Sequence, residues 1–315
     1  MIKYIMKRIL FMIPTLLGVL ILTVFVIRCL PGNPISLFLG EDATAEQIAA
    51  YTEAKGLNEP VVVQLGIAIK DFFQGDLGES IIQHRPVTEM IMEKFPSTVR
   101  LALAAICFSA FCGIIMGILS AIHKGSWIDK MVMGASTFFM SIPAFLWALV
   151  LMVVLGVWLN WIPVISLRGD GGLSGLIAPA LSLGLSGAAL IARTTRSSML
   201  GVLNEDYIRT ARAKGLHETT IVCKHALKAA SMPIITLIGI YFADYLAGAV
   251  VIETIFSRPG IGRMLIDAIY SRDYAVVQGT VTFYAAIMIL ANLITDILYY
   301  FIDPRIRASK LGHAR

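Results

Sequence analysis

Charge is scarce in this sequence. Only 15% of its 315 residues are Asp, Glu, Lys or Arg, against 57% that are hydrophobic, and the mean hydropathy is +0.78. A soluble domain carries about 25% charge and about 45–50% apolar residues, so a water-soluble globule is excluded. Disorder is excluded too, because it needs low hydrophobicity. Cysteine is also sparse. Cys29, Cys107 and Cys112 lie in or beside apolar runs, Cys223 lies in a basic stretch, and no C-x-x-C pair occurs. Neither a disulfide framework nor a zinc site is indicated. There is no G-x-x-x-x-G-K-[ST] phosphate loop and no H-E-x-x-H, so the chain shows neither that signature of nucleotide binding nor that of a metalloprotease. The five histidines, His84, His123, His217, His225 and His313, all fall in loops or at helix ends. The G-x-S-G run Gly184-Leu185-Ser186-Gly187 therefore lacks the deep base that intramembrane serine proteolysis requires. Close helix packing explains its glycines better.

Long apolar runs dominate the rest. Six stretches can cross ~30 Å of hydrocarbon at about 20 residues each: 9–30, 98–122, 131–159, 174–192, 233–256 and 280–302. The fourth is interrupted by Pro179 and by glycines and serines. The first follows Lys3, Lys7 and Arg8 but has no A-x-A site, so it reads as a retained helix and not as a cleaved leader. The net charge of +5 would suggest nucleic acid in a soluble protein. Here it reads as loop charge that sets orientation, with no nucleic-acid partner. Basic residues concentrate at the N-terminus, in 123–130, in 193–231 and in the tail, which places both termini in the cytoplasm. The expected fold is an all-α integral membrane protein with six transmembrane helices, N-in and C-in.

The expected organisation is an N-terminus and first helix over 1–30, an extracytoplasmic helical loop over 31–97, a five-helix core over 98–303 and a cytoplasmic tail over 304–315. The loop 31–97 holds ten acidic against four basic residues. Within it, 45–55 and 61–73 read as amphipathic helices, the second with Val62, Leu65, Ile69 and Phe72 on one stripe. Pro86 should open a short helix over 87–94. The loop is either a solvated cap or a docking surface or substrate funnel.

The strongest signal is NEDYIRTARAKGLHETTIVCKHALKAASMP, residues 204–233. Asn204 or Asp206 can cap a helix that runs through Lys214. Gly215 breaks it, and a second helix runs from Glu218 to about Ala230 before Pro233 opens the fifth span. A lipid-headgroup anchor or a plain basic connector would not need small residues (Ala211, Ala213, Gly215) interleaved with Tyr207 and Ile208. That surface suits docking in a protein groove.

The segment resembles the cytoplasmic coupling loop of bacterial ABC importer permeases, and DYIRTARAKGL resembles the dipeptide/oligopeptide/nickel branch. The same branch is matched by MIKYIMKRILFMIPTLLGV, LPGNP, QGDLGESI…RPV, RTTRSSML, ETIFSRPGIGR, RDYAVVQG and DPRIR, covering nearly the whole chain. Arg209 and Lys228 depart from the general importer motif in the way this branch does. The resemblance implies a pore-forming permease subunit of a binding-protein-dependent importer in the bacterial inner membrane. It is not an enzyme and binds no cofactor or metal of its own; ATP and Mg would sit on its partners. Those partners are a second homologous permease, two ABC ATPase subunits, an extracytoplasmic substrate-binding protein and membrane lipid. The coupling loop 204–231 would carry the ATPase contact through Tyr207, Arg209, Ala211, Arg212, Lys214, Gly215 and Leu216. The solute would be a di- or oligopeptide, glutathione, or nickel or a metal chelate. The alternative is a secondary transporter or channel not driven by ATP, although no internal repeat is visible.

Polar residues inside spans mark the path. Asp244, mid-span in IYFADYLAG and flanked by Tyr241 and Tyr245, should face the bundle interior or a wet cavity. Asn292 and Asp296 share a face of the sixth span. Tyr241, Asp244, Tyr245 and Asn292 are the candidate path residues, and a helix–helix hydrogen bond is the competing role for Asp244.

Overall fold

The computed structural model describes residues 60–80, 82–161, 172 and 174–302, with scattered positions between 10 and 53. The described residues are helical, joined by turns. The helices are α1 (Val61–Gln74), α2 (Val87–Ile122), α3 (Trp127–Ser141) and α4 (Ala144–Leu151), the last continuing as a π-helix over Met152–Trp158. Then follow α5 (Ser174–Leu203), α6 (Asp206–Ala213), α7 (Glu218–Ile255, π-helical over Ile221–Ala226), α8 (Ile261–Tyr270) and α9 (Tyr274–Ile302). Among the described residues four helices are long and apolar enough to cross a membrane, five if the bent pair of α3 with α4 and its π-helical continuation is one span. A shorter apolar helix, Ile13–Thr23, lies in the expected first span. Most of the expected helix 45–55 lies outside the described residues.

Several helix boundaries differ from expectation. The expected short helix after Pro86 does not stop at 94: α2 continues through Pro96 to Ile122. Pro233 does not open the fifth span, since it lies inside the helical run of α7. A proline in a helix forfeits one backbone bond, and in an apolar bundle neighbouring helices absorb that loss. The basic loop expected from 193 begins only after Leu203, so Arg193 and Arg196 stand on α5. The expected third span is broken instead of continuous: its two halves meet at 99°. Ile142, ahead of Pro143, is extended at φ −108° and ψ 124°, as the residue before a proline prefers. Trp147 Nε1 then donates to the carbonyl of Phe139 at 3.3 Å across the bend.

The chain divides into two compact units, residues 1–98 with 259–290, and 99–258 with 291–315. In the first unit Val87, Met90 and Ile91 pack against Ile261, Ala268 and Val276. Ser80 Oγ donates to Asp273 Oδ2 at 2.5 Å, and Asp273 Oδ1 accepts the N–H of Val276 in the first turn of α9.

In the second unit α5 packs against α3, α4 and α7 and lies very close to α2. A Cβ added at Gly113 would stand 2.7 Å from the carbonyl oxygen of Ala188, and one at Gly117 would stand 2.6 Å from that of Ala192. Small residues at that spacing let two membrane helices touch backbone to backbone. The G-x-S-G run serves the same packing. Gly184 abuts Ala105, Phe108 and Ser109, and Gly187 abuts Tyr245.

Candidate functional site

The loop between α5 and α7 is a compact hairpin. α6 starts with Asp206 in its first turn and ends with Arg212 in its last, both favourable with the helix dipole. Neither Asn204 nor Asp206 caps it as expected. The N-cap residue is Glu205, without a side-chain cap bond, and the Asn204 amide donates to the carbonyl of Leu200. Gly215 does end the helix, at φ +76°, a left-handed conformation that glycine adopts without a Cβ penalty. Arg212 Nε donates to Glu218 Oε1 at 2.6 Å, closing the hairpin across the turn.

Burial splits the hairpin into two faces. Ile208, offered by the sequence as part of the docking surface, is 0% exposed and packs into a core with Ala121, Met199, Ile221, Val222, Ala226 and Ala230. Ala211 is partly buried against the same core. They seat the hairpin on its own chain. The outward face carries Tyr207, 49% exposed, and Leu216, 42% exposed, with Arg209, Arg212, Lys214 and Gly215 also exposed. It presents an apolar pair among charged residues, with Arg209 beside Asp206 and Arg212 bonded to Glu218.

The mid-span residues of α7 part company as well. Asp244 is exposed, so it lies outside the core of its own chain; the sequence expected it to face the bundle interior or a wet cavity. Tyr241 is half-buried and Asn292 exposed. Tyr245, offered as a path residue, is 3% exposed. Its hydroxyl lies 2.8 Å from Ser109 Oγ. Ser109 has one proton to give and the carbonyls of Ala105 and Gly184, both at 2.8 Å, to receive it, so Tyr245 is the donor. Its ring, 5.5 Å from that of Tyr241, acts as a strut between α7, α2 and α5. The side chain of Asp296 lies outside the described residues.

The first unit contains a feature the sequence did not suggest, a cavity of about 330 Å³ lined by Arg85, Glu93, Lys94, Arg263 and Asp267 among others. Its charges pair with one another: Lys94 with Glu93 at 2.6 Å, Arg85 with Glu93 at 3.3 Å, Arg263 with Asp267 at 3.6 Å. One wall is α8, which was not anticipated. The signal was the spacing of Ile261, Met264, Leu265 and Ala268 along one face. Among the described residues no group of His, Cys, Asp and Glu is arranged to hold a metal ion.

Residues 113–308 match the family described as "Binding-protein-dependent transport system inner membrane component", and residues 1–102 match its N-terminal counterpart. The chain is 40% identical over 307 residues to the glutathione transport system permease protein GsiC of Salmonella paratyphi A, covering 98% of this chain and 99% of that one. It is 41% identical over 332 residues to the dipeptide transport system permease protein DppB of Alkalihalophilus pseudofirmus, covering 98% and 100%. In fold it is similar to an inward-facing conformation of the MetNI methionine ABC transporter, with a TM-score of 0.56 at 19% identity over 68% of this chain and 96% of that one.

Proposed function

The chain belongs to the binding-protein-dependent transport system inner membrane components, and from that premise we propose that its solute is a short peptide or a peptide-like thiol such as glutathione. It is the pore-forming permease of an ABC importer, a multi-pass inner-membrane transport subunit and not an enzyme. It works with ATPase subunits and a binding protein. An ATP-independent transporter or channel is thereby set aside. The two relatives carry glutathione and dipeptide in their names, which favours the peptide end of the expected range over nickel.

The finer architecture in this reading is six spans with both termini inside, a second homologous permease, and two ATPases that hold the ATP and Mg. The outward face of the hairpin, with Tyr207 and Leu216 among Arg209, Arg212 and Lys214, sits in a cleft of one ATPase. Closure of the ATP-bound pair then moves the hairpin and shifts the bundle between inward- and outward-open packings.

The observation that carries the solute path is Asp244. An aspartate at mid-span costs about 2.5–3.5 kcal/mol to insert, and here it lies on an exposed face of its own chain. That face borders the partner permease or an aqueous path, where the carboxylate meets a passing ammonium group. Tyr241 and Asn292 line the same route, whereas Tyr245 supports it from behind. The test is uptake into liposomes holding the permease with its partner subunits and binding protein, using labelled dipeptide and labelled glutathione. ATP-dependent accumulation of one of them supports the reading. Uptake of neither, with a binding protein that retains neither, refutes it.

A further inference from the structure

Asp129, 4% exposed, accepts four hydrogen bonds from three parts of the chain. Ser120 Oγ, at the end of α2, donates to Oδ1 at 2.5 Å. The Gly125 N–H, in the turn before α3, donates to Oδ2 at 2.9 Å. Arg196, on α5, donates Nε to Oδ1 at 2.6 Å and Nη2 to Oδ2 at 2.8 Å. Arg–carboxylate forks of this kind fix distance and orientation together.

The network adjoins the seat of the hairpin. Ser120 is the chain neighbour of Ala121, and Met199 stands one helical turn beyond Arg196. Ala121 and Met199 both belong to the apolar core that holds Ile208. No residue of α3 belongs to that core. The apolar core thus fastens the hairpin to the ends of α2 and α5, and the fork on Asp129 ties α3, which already packs along α5, to those same two ends.

We propose that Asp129 and Arg196 are positioning residues of the transport stroke: their pair makes the ends of α2, α3 and α5 follow the hairpin as one block. The proposal rests on the reading of the hairpin as the ATPase contact. An apolar seat tolerates sliding, but a bidentate fork on a buried carboxylate does not, and removing Arg196 leaves the Asp129 charge with only Ser120 and the Gly125 N–H.

The test uses the full complex in liposomes and reads solute moved per ATP hydrolysed. Asp129→Asn and Arg196→Gln, each assembling at wild-type level, are expected to lower that ratio by about tenfold, the first because it loosens the fork and the second because it leaves the buried Asp129 carboxylate without its cation. The double variant Asp129→Asn/Arg196→Gln, whose amides can bond each other without charge, is expected to recover most of it. An unchanged ratio in both single variants overturns the proposal. Should the single variants not assemble, Ser120→Ala removes one of the four bonds only; a fall of about twofold supports the proposal and an unchanged ratio overturns it. A second measurement is independent of assembly defects. Spin labels at Lys130 on α3 and Lys214 on the hairpin should keep one separation in nucleotide-free and ATP-bound wild type, and a state-dependent separation overturns the single block. A Tyr207→Cys crosslink to the ATPase reports the docking itself. Its absence in wild-type background overturns the hairpin reading and this proposal's premise. Its presence with an unchanged ratio overturns the role of the pair alone.

Discussion

Replacing Gly187 by alanine should loosen the contact between α5 and α7, and replacing Tyr245 by phenylalanine should restore part of it. An alanine Cβ at 187 would overlap the Tyr245 hydroxyl oxygen, with the ring carbon behind it at 3.1 Å. The hydroxyl is held by Ser109, so the ring must leave its place. The lost hydrogen bond costs about 0.5–1.5 kcal/mol and the overpacking about 1–3 kcal/mol, so Gly187→Ala should cost about 1.5–4.5 kcal/mol. Tyr245→Phe alone should cost about 1 kcal/mol, because Ser109 keeps two carbonyl acceptors. With both changes the overlapping atom is gone, and the remaining 3.1 Å approach needs a shift of a few tenths of an ångström. The double variant should therefore be more stable than Gly187→Ala by itself, a coupling of opposite sign to the single costs. The assay is the melting midpoint of the purified complex in detergent, with membrane insertion scored in parallel. If the double variant loses as much as the two single ones combined, the strut does not work as described.

Three further outcomes follow from the same geometry. Asp244→Asn should preserve assembly and basal ATP hydrolysis but lower uptake of cationic peptides more than of neutral ones; equal uptake by the variant and wild type removes Asp244 from solute contact. At Gly215 an added Cβ has open space around it but meets a φ of +76°, so strain and not bulk is the obstacle. Gly215→Asn should keep transport and Gly215→Val should lower it, at about 1–2 kcal/mol of left-handed strain, and full transport by Gly215→Val would take this turn out of the mechanism. A cysteine at Asp76 should react with an impermeant maleimide added outside intact cells and one at Lys214 should not, with labelling of Lys214 contradicting the topology.

The sequence revealed the hairpin because its signals are local: a glycine, a charged helix and a small-residue pattern. Helix ends were harder to read, since their outcome depends on packing. Pro96, Pro143, Pro179 and Pro233 have similar local claims to break a helix, yet only Pro143 marks a break, where Trp147 and Phe139 close the bend. Ile208 and Tyr207 are adjacent and equally suited to docking on paper. Tertiary contact with Met199 and Val222 decides that Ile208 faces inward. Tyr245 and Asp244 are likewise neighbours, and the strut becomes visible only once Ser109 and Gly187 are opposite. Asp129 carries only the local S-x-x-D pattern of a helix start with Ser126, and its fork stays hidden because Ser120 and Arg196 lie 9 and 67 residues away in the chain.

The backbone-to-backbone seam between α2 and α5 also limits how such a chain can diversify. At Gly113 and Gly117 the atoms in the way include main-chain oxygens, which no rotamer change can remove, so these positions have almost no neutral substitutions. The exposed face around Asp244 carries no comparable restriction. A lineage can therefore exchange residues on that side of α7 while the seam between α2 and α5 stays fixed. Its freedom to innovate is confined to surfaces that its own helices do not use.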